Sequence, residues 1–96
     1  MSAIYVVATN KAKEGCAEKL HAVLSAMIEP TRKEEGCIQY ALYADKAGTT
    51  FVFIEQWASS EALTAHTQTA HFARLQADAP ALLETPSDLK ILELVS

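Results

Sequence analysis

The sequence predicts a small α+β domain whose elements follow the order strand, helix, strand, strand, helix, strand. Runs of β-branched and aromatic residues mark the strands, and apolar residues at steps of three and four mark the helices between them. Turn-forming residues separate these runs. A chain of 96 residues has room for one domain, so we expect residues 1–96 to form a single unit.

The predicted strands are short runs of high β propensity, and the second and third are expected to form a hairpin. The connection between them, Asp45 to Gly48, has the composition that such a turn requires. The four strands are predicted at residues 3–10, 38–43, 50–57 and 89–95.

The first predicted helix runs from Cys16 to about Lys33 and carries one apolar face. Pro30 lies inside it and is expected to kink it, because proline lacks an N–H and crowds the preceding turn. Gly36 supplies the left-handed residue that commonly ends a helix. Cys16 and Cys37 flank this helix, and ~1.5 Å per residue would hold them roughly 30 Å apart, which is too far for a disulfide.

The second predicted helix begins at a cap provided by Ser59 or Ser60. It is interrupted near Thr69 and resumes as far as about Pro80. With right-handed crossovers, this order of elements gives a four-stranded antiparallel sheet with both helices on one face, the ferredoxin-like β-α-β-β-α-β plait.

The strands have apolar residues on both of their faces. In the first strand Val6 faces one way while Tyr5 and Val7 face the other, and in the third strand Val52 and Ile54 lie opposite the phenylalanines. The helices of one chain can cover only one side of the sheet. A second copy of the same sheet is the simplest cover for the other side, so we expect a homodimer that forms through the sheet.

Charge and hydropathy exclude several classes of partner. The net charge is −4 and the basic residues are scattered, which disfavours nucleic acid because binding to phosphate needs clustered cations. No stretch reaches the ~18 to 20 apolar residues that span a bilayer, so no membrane is expected. The N-terminus lacks the basic start and long apolar stretch of a signal peptide, and we expect a cytoplasmic protein.

Three segments of the sequence resemble the antibiotic biosynthesis monooxygenase family, and specifically its small quinol-monooxygenase-like members. They are Lys33-Glu34-Glu35-Gly36-Cys37-Ile38-Gln39-Tyr40, then Phe53-Ile54-Glu55-Gln56-Trp57, and then Ala62-Leu63-Thr64-Ala65-His66-Thr67-Gln68-Thr69-Ala70-His71-Phe72. Many relatives carry a proline where this chain has Ala70. The resemblance covers essentially the whole chain.

The resemblance implies a dimeric α+β barrel with a pocket between sheet and helices in each subunit. It also implies oxidation of a small quinol-like or phenolic substrate by O₂ without metal or flavin, so we expect no cofactor. In such a reaction a base removes the phenolic proton and the electron-rich anion itself reduces O₂. Related proteins of the same fold are isomerases or haem degraders, so the family does not fix the reaction.

Two branches of the family fit this sequence less well. The haem-degrading branch has an Asn, a Trp and a His at positions that align with Ala8, His66 and Gln76, so haem oxygenation is not expected. The branch that oxidises anthrones commonly has an Asn and a Tyr at the positions of Phe53 and Leu63, which weakens that substrate assignment.

His66 is the leading candidate for a general base, because an imidazole titrates near neutral pH. Glu55 lies on the strand face of Phe53 and Trp57, where a carboxylate needs a partner, and it could orient His66. The alternative is a purely structural His66 hydrogen-bonded to Glu55. His71 shares a face with His66 only if the helix breaks, and it is a second candidate or a pocket-rim residue.

Other residues are candidates for substrate binding. The walls of a pocket for a flat aromatic ring could be formed by Trp57, Tyr40 and Phe53, although core packing is the commoner role for such residues. Asn10 could donate a hydrogen bond to an oxyanion or could simply end its strand.

No metal site and no phosphate-binding motif is expected from the residue spacing. His66 and His71 lack the i, i+4 spacing of a helical zinc pair, the two cysteines form no cluster, and no glycine-rich phosphate loop is present. Three functions therefore stay open: a cofactor-independent monooxygenase, an isomerase or other proton-transfer enzyme acting on a small carbonyl compound, and a non-catalytic dimer that binds a small ligand.

Overall fold

The computed structural model describes residues 3–96, and it shows one four-stranded antiparallel sheet. The order across the sheet is second, third, first and fourth strand, which confirms the predicted fold class. Met1 and Ser2, which begin the predicted domain and the segment inspected for a signal peptide, lie outside the described residues. The strands are β1 Ile4–Lys11, β2 Cys37–Ala44, β3 Thr50–Trp57 and β4 Asp88–Leu92.

The core lies on one side of the central strands. Along β1 and β3 buried and more exposed residues alternate, because successive side chains point to opposite faces of a sheet. Residues directly paired across the two strands, such as Val6 with Glu55 and Ala8 with Phe53, share the buried face. Leu20 and Leu24 pack on this face from the first helix and are fully buried.

The predicted long first helix is wrong, because the chain forms two helices, α1 Ala17–Ser25 and α2 Ile28–Arg32. The break falls at Ala26 and Met27, before Pro30, where a kink was expected. Proline has no N–H to donate to the carbonyl four residues earlier, that of Ala26, and its ring crowds that carbonyl. By starting again at Ile28, the chain places Pro30 in the first turn of α2, where a missing N–H costs little.

The interruption predicted near Thr69 is confirmed, and it separates α3 Ser60–His66 from α4 Ala70–Asp78. Ser59 caps α3 by accepting a hydrogen bond from the Ala62 amide at 3.1 Å. Thr69 caps α4, since its Oγ1 accepts from the Phe72 amide at 3.2 Å and donates to the His66 carbonyl at 2.8 Å. A 3₁₀ turn, Pro80–Leu82, follows α4.

Gly36 joins α2 to β2 in a conformation that only glycine adopts easily, with φ of +88°. A Cβ atom at this position would lie 2.5 Å from the Cβ of Ala62 in α3. The Gly36 carbonyl also accepts a hydrogen bond from the Ala58 amide at 2.8 Å. This junction therefore brings the end of α2 close to the start of α3.

The face of the sheet opposite the core is apolar and open in the single chain. Tyr5, Tyr43 and Ile54 are 36, 51 and 38% exposed, and none of the described helices covers them. At one edge of the sheet β2 contains a bulge between Cys37 and Gln39. At the other edge all five residues of β4 are exposed, and the strand ends earlier than the predicted residue 95.

Two further expectations can be compared with the described residues. Cys16 and Cys37 are both free thiols, although the continuous helix from which their separation was predicted is divided into α1 and α2. Between residues 3 and 96, none of the helices is long and apolar enough to cross a membrane.

Candidate active site

The structure brings His66 and His71 together around a residue that the sequence analysis did not select, Glu34. The Oε2 atom of Glu34 lies 2.8 Å from Nδ1 of His66 and 2.5 Å from Nε2 of His71. The two imidazole rings are 6.0 Å apart between centroids. We call these three side chains the His–Glu–His cluster.

Each member of the cluster is held at the end of a short element. Glu34 follows α2, and its amide donates to the Thr31 carbonyl at 3.0 Å. His66 is the last residue of α3 and His71 lies in the first turn of α4. The Thr69 cap between them turns the chain, so histidines five residues apart can face the same carboxylate.

The signal for Glu34 was present in the sequence but indirect. Glu34 stands two residues before Gly36, inside the segment that carries the family resemblance. The predictions made from that segment concerned Gly36 and Tyr40, so Glu34 was not selected. Its partners come from elements more than 30 residues away, as the hydrogen bonds show. Periodicity along one helix cannot reveal such a contact, because it requires knowing how α2 and α3 pack.

His66 is enclosed by aromatic rings. Its side chain is 3% exposed, and its ring centroid lies 4.7 Å from that of Trp57, 5.1 Å from that of Phe72 and 5.7 Å from that of Tyr40. Burial lowers the pKa of His66, and the hydrogen bond and charge of Glu34 oppose this shift in part. His66 is therefore mainly neutral at pH 7.

The shared oxygen constrains where the protons lie. An ionised carboxylate only accepts hydrogen bonds, so with Glu34 ionised both facing ring nitrogens must carry a hydrogen. In neutral rings this leaves lone pairs on Nε2 of His66 and Nδ1 of His71. Both histidines are then held in a tautomer that can accept a proton at the nitrogen pointing away from Glu34.

The expected hydrogen bond between Glu55 and His66 is wrong. Glu55 Oε1 accepts from Nε1 of Trp57 at 2.9 Å, and the partner of His66 is Glu34. Glu55 is 5% exposed, and its pKa rises to about 7, mainly because burial disfavours the charged form. The Trp57 hydrogen bond opposes this rise, while the charge of Glu34 adds to it.

The predicted aromatic wall lies in the hydrophobic core. Trp57, Tyr40 and Phe53 are at most 2% exposed. Tyr40 stacks on Phe53 with centroids 4.8 Å apart and meets Trp57 edge-on at 6.4 Å. Tyr40 and Trp57 pack against the ring of His66, and neither Trp57 nor Phe53 lines the two cavities described below.

A groove of about 540 Å³ runs between α4 and the α1–α2 segment, and His71 lines it. His71 is 22% exposed, so it is the most accessible member of the cluster, while His66 lies behind it. Arg74 and Asp78 add charged groups to a wall that is otherwise largely apolar. The volume falls within the range of about 300 to 1,000 Å³ that is usual for small-molecule sites.

Asn10 lies in a different place from the cluster. Its side chain is buried and donates to the carbonyls of Ala8 and Phe51 at 3.3 and 3.4 Å, while its oxygen accepts from the Ser87 hydroxyl at 2.5 Å. It lines a second cavity of about 490 Å³, near the start of β4. Leu75 contributes to both cavities, so Asn10 and His71 reach different spaces on either side of α4.

The fold and the cluster together describe a small ferredoxin-like protein with a paired-histidine site beside a groove. Residues 3–78 match the antibiotic biosynthesis monooxygenase family. The chain belongs to this family.

Individual relatives agree with this assignment. The protein sll1783 of Synechocystis is 38% identical over 91 residues, covering 93% of this chain, and this chain spans only 62% of its length. Rv0793 of Mycobacterium tuberculosis, provisionally named a monooxygenase, is 34% identical over 91 residues, covering 95% of this chain and 90% of its own length.

Solved structures show the same architecture. The structure of Rv0793 superposes with a TM-score of 0.94 at 33% identity, covering 99% of this chain and 97% of that chain. PA3566 of Pseudomonas aeruginosa superposes with a TM-score of 0.93 at 35% identity, covering 100% of this chain and 97% of that chain.

Proposed function

We propose that this protein is a cofactor-independent monooxygenase that oxidises a small quinol-like or phenolic aromatic compound with O₂. The observation that carries the proposal is the His–Glu–His cluster, in which one carboxylate fixes two imidazoles and one imidazole opens onto the groove. Family membership and the provisional name of Rv0793 support the reaction class.

The first step that this geometry supports is removal of the phenolic proton. A ring bound in the groove can meet His71, whose Nδ1 carries a lone pair when Nε2 donates to Glu34. His66 holds Glu34 from the buried side and shares the gained charge through the same oxygen, so the three residues act as one proton-accepting unit. Glu34 thus takes the orienting role that the sequence suggested for Glu55.

The second step is electron transfer from the substrate anion to O₂. A hydroquinone and O₂ give a hydroxyquinone and water, so one oxygen atom enters the ring and the other leaves as water. The substrate supplies all four electrons, and the protein supplies position, a proton acceptor and an apolar surface. Arg74, on the groove wall, is placed to attract the anion.

We propose further that two chains pair through the open face of the sheet. Tyr5, Tyr43 and Ile54 expose apolar surface there, and a second sheet would remove it from water. The groove lies on the helical side of the sheet, so each subunit of such a dimer keeps its own site.

A second candidate is a proton-transfer enzyme, such as an isomerase acting on a small carbonyl compound. A paired-histidine acceptor also suits this chemistry, and it needs no O₂. The two proposed functions can therefore be distinguished by whether turnover depends on O₂.

The test is O₂ uptake by metal-stripped protein on a panel of hydroquinones and anthrones, with the autoxidation blank subtracted. We expect wild-type uptake that falls by about 10²-fold or more in His71→Ala and Glu34→Gln, because a general base contributes roughly that much. His21→Ala is the control, since His21 lies outside the cluster and stacks on Phe51. Uptake no greater than the blank on every compound would remove the monooxygenase from consideration.

A further inference from the structure

The His–Glu–His cluster has the donor set of a metal site. Two imidazole nitrogens and one carboxylate oxygen converge from three separate elements, and the ligating atoms lie within 4.8 Å of one another. The five-residue spacing of His66 and His71 disfavoured a zinc pair on one helix, but the break at Thr69 removes that objection.

From this geometry we propose that Glu34, His66 and His71 form a binding site for one divalent transition-metal ion of the zinc type. Nitrogen donors with one carboxylate favour Zn²⁺ or Co²⁺ over Mg²⁺ and Ca²⁺, which prefer oxygen ligands alone. The third histidine, His21, stacks on Phe51 outside the cluster.

The three ligand atoms must move before they fit one ion. In a tetrahedral zinc site with bonds of about 2.0 to 2.1 Å, the ligand atoms lie about 3.3 Å apart. The nitrogen–oxygen separations here are 2.8 and 2.5 Å, so each must lengthen by less than about 1 Å. The two nitrogens lie within 4.8 Å of each other, so they must approach by up to about 1.5 Å. The Glu34 side chain has several rotatable bonds and is 13% exposed, so its carboxylate can move.

The site is open on one side. Three protein ligands leave a fourth tetrahedral position, as in zinc sites that also hold a water or a small ligand. His71 lines the groove, so an ion can enter from there without passing through the core. Binding requires both rings to carry their remaining hydrogen on the nitrogen that points away from Glu34. This is the reverse of the tautomers that serve as the base, so the zinc-bound state and the base-competent state of the cluster exclude each other.

The test is a zinc titration of metal-stripped protein in competition with a chromophoric chelator. We expect one equivalent to bind, and we expect Glu34→Gln and His71→Ala each to weaken binding by about tenfold or more. His21→Ala, Cys16→Ser and Cys37→Ser are controls that should stay within about twofold of the wild type. Both cluster variants change partly accessible side chains, and circular dichroism checks that they fold.

A second measurement reports the ligands directly. In NMR spectra of the histidine rings, zinc should shift the signals of His66 and His71 and leave those of His21 in place. Absence of saturable binding up to about 100 μM zinc would overturn the proposed site. So would binding in either cluster variant that stays within about twofold of the wild-type affinity. Neither measurement involves turnover, so failure here leaves the proposed monooxygenase reaction untouched, and the converse also holds.

Discussion

The partly buried Glu34 and the buried Glu55 have different partners and therefore different chemistry. Glu34 accepts hydrogen bonds from two imidazoles, one of which lines the groove, whereas Glu55 accepts one from an indole within the core. The sequence favoured Glu55, because its place among aromatic residues on a strand can be read from alternation alone. Glu34 follows a short helix, and only the packing of that helix against α3 and α4 gives it partners.

Stability should depend on pH through Glu55. Its pKa is about 7 in the folded protein and lower in the unfolded chain, so the folded state binds the extra proton between about pH 4.5 and 7. The stabilisation from Glu55 is thus complete below about pH 4.5 and is lost as the pH rises through 7. Glu55→Gln keeps an acceptor for Trp57 and removes this loss.

We therefore expect Glu55→Gln to gain stability relative to the wild type as the pH rises from 5 to 8, by about 2 to 3 kcal/mol. Urea denaturation at several pH values measures the difference. Glu35→Gln changes an exposed carboxylate and should show no such trend. A difference between Glu55→Gln and wild type that is independent of pH would contradict the assignment.

The imidazole of His66 should titrate below its ordinary midpoint. Burial lowers its pKa and Glu34 opposes the shift, so we expect an NMR titration midpoint below 6.5 in the wild type. Glu34→Gln removes the opposing charge and should move the midpoint lower still. The His66 signal is identified by its loss in His66→Gln. A midpoint that rises in Glu34→Gln would show that Glu34 does not support the charged ring.

The elements of the fold were predicted well where one residue determines the local structure. Thr69 combines an N-cap side chain with the end of one apolar repeat, and the helix breaks there as expected. The break at Ala26 and Met27 was missed, because the apolar spacing continues through it. Pro30 predicted an irregularity in the helix, but it did not show that the helix would break four residues earlier.

The junction at Gly36 can be tested with a matched pair of glycines. Gly15 has a similar φ of +79° with open space around its Cβ position, while a Cβ at Gly36 would meet Ala62. We expect Gly15→Ala to cost about 1 kcal/mol from backbone strain alone. Gly36→Ala should cost about 2 kcal/mol more, because it adds a clash with α3.

A double-mutant cycle separates the two contributions in Gly36→Ala. Ala62→Gly removes the methyl group that the new Cβ would strike, so the double variant should be less destabilised than the sum of the single variants. Free energies of unfolding from urea titrations provide the comparison. Additive values, or equal costs at Gly15 and Gly36, would show that the approach to α3 does not constrain Gly36.

At the scale of the whole molecule, the four-stranded antiparallel sheet with its helices on one face followed from element order and crossover handedness. The candidate site was predicted from the sequence only in part. Residue type identified His66 and His71. It did not identify their common partner Glu34, because the cluster forms only where three separate segments meet. Trp57 and Asn10 were selected for their chemistry, and the structure places Trp57 in the core and Asn10 beside a different cavity.

The open face of the sheet should govern assembly. Ile54 lies on that face and is 38% exposed, so Ile54→Lys places a charge in the proposed interface. We expect the wild type to sediment at twice the 10.4 kDa of one chain, and Ile54→Lys to sediment as a monomer. Thr64→Lys adds the same charge on the exposed surface of α3 and should stay dimeric. A monomeric wild type at micromolar concentration would refute the proposed pairing.

The bulge in β2 makes the two borders of the sheet unequal. An extra residue on the bulged strand disrupts the regular ladder and increases the local twist, which hinders the docking of a foreign strand along that side. β4 has no bulge in its pairing with β1, and it exposes Leu89, Ile91 and Leu92. We therefore expect strand addition, whether in ordered assembly or in aggregation, to occur at the β4 border rather than at the β2 border.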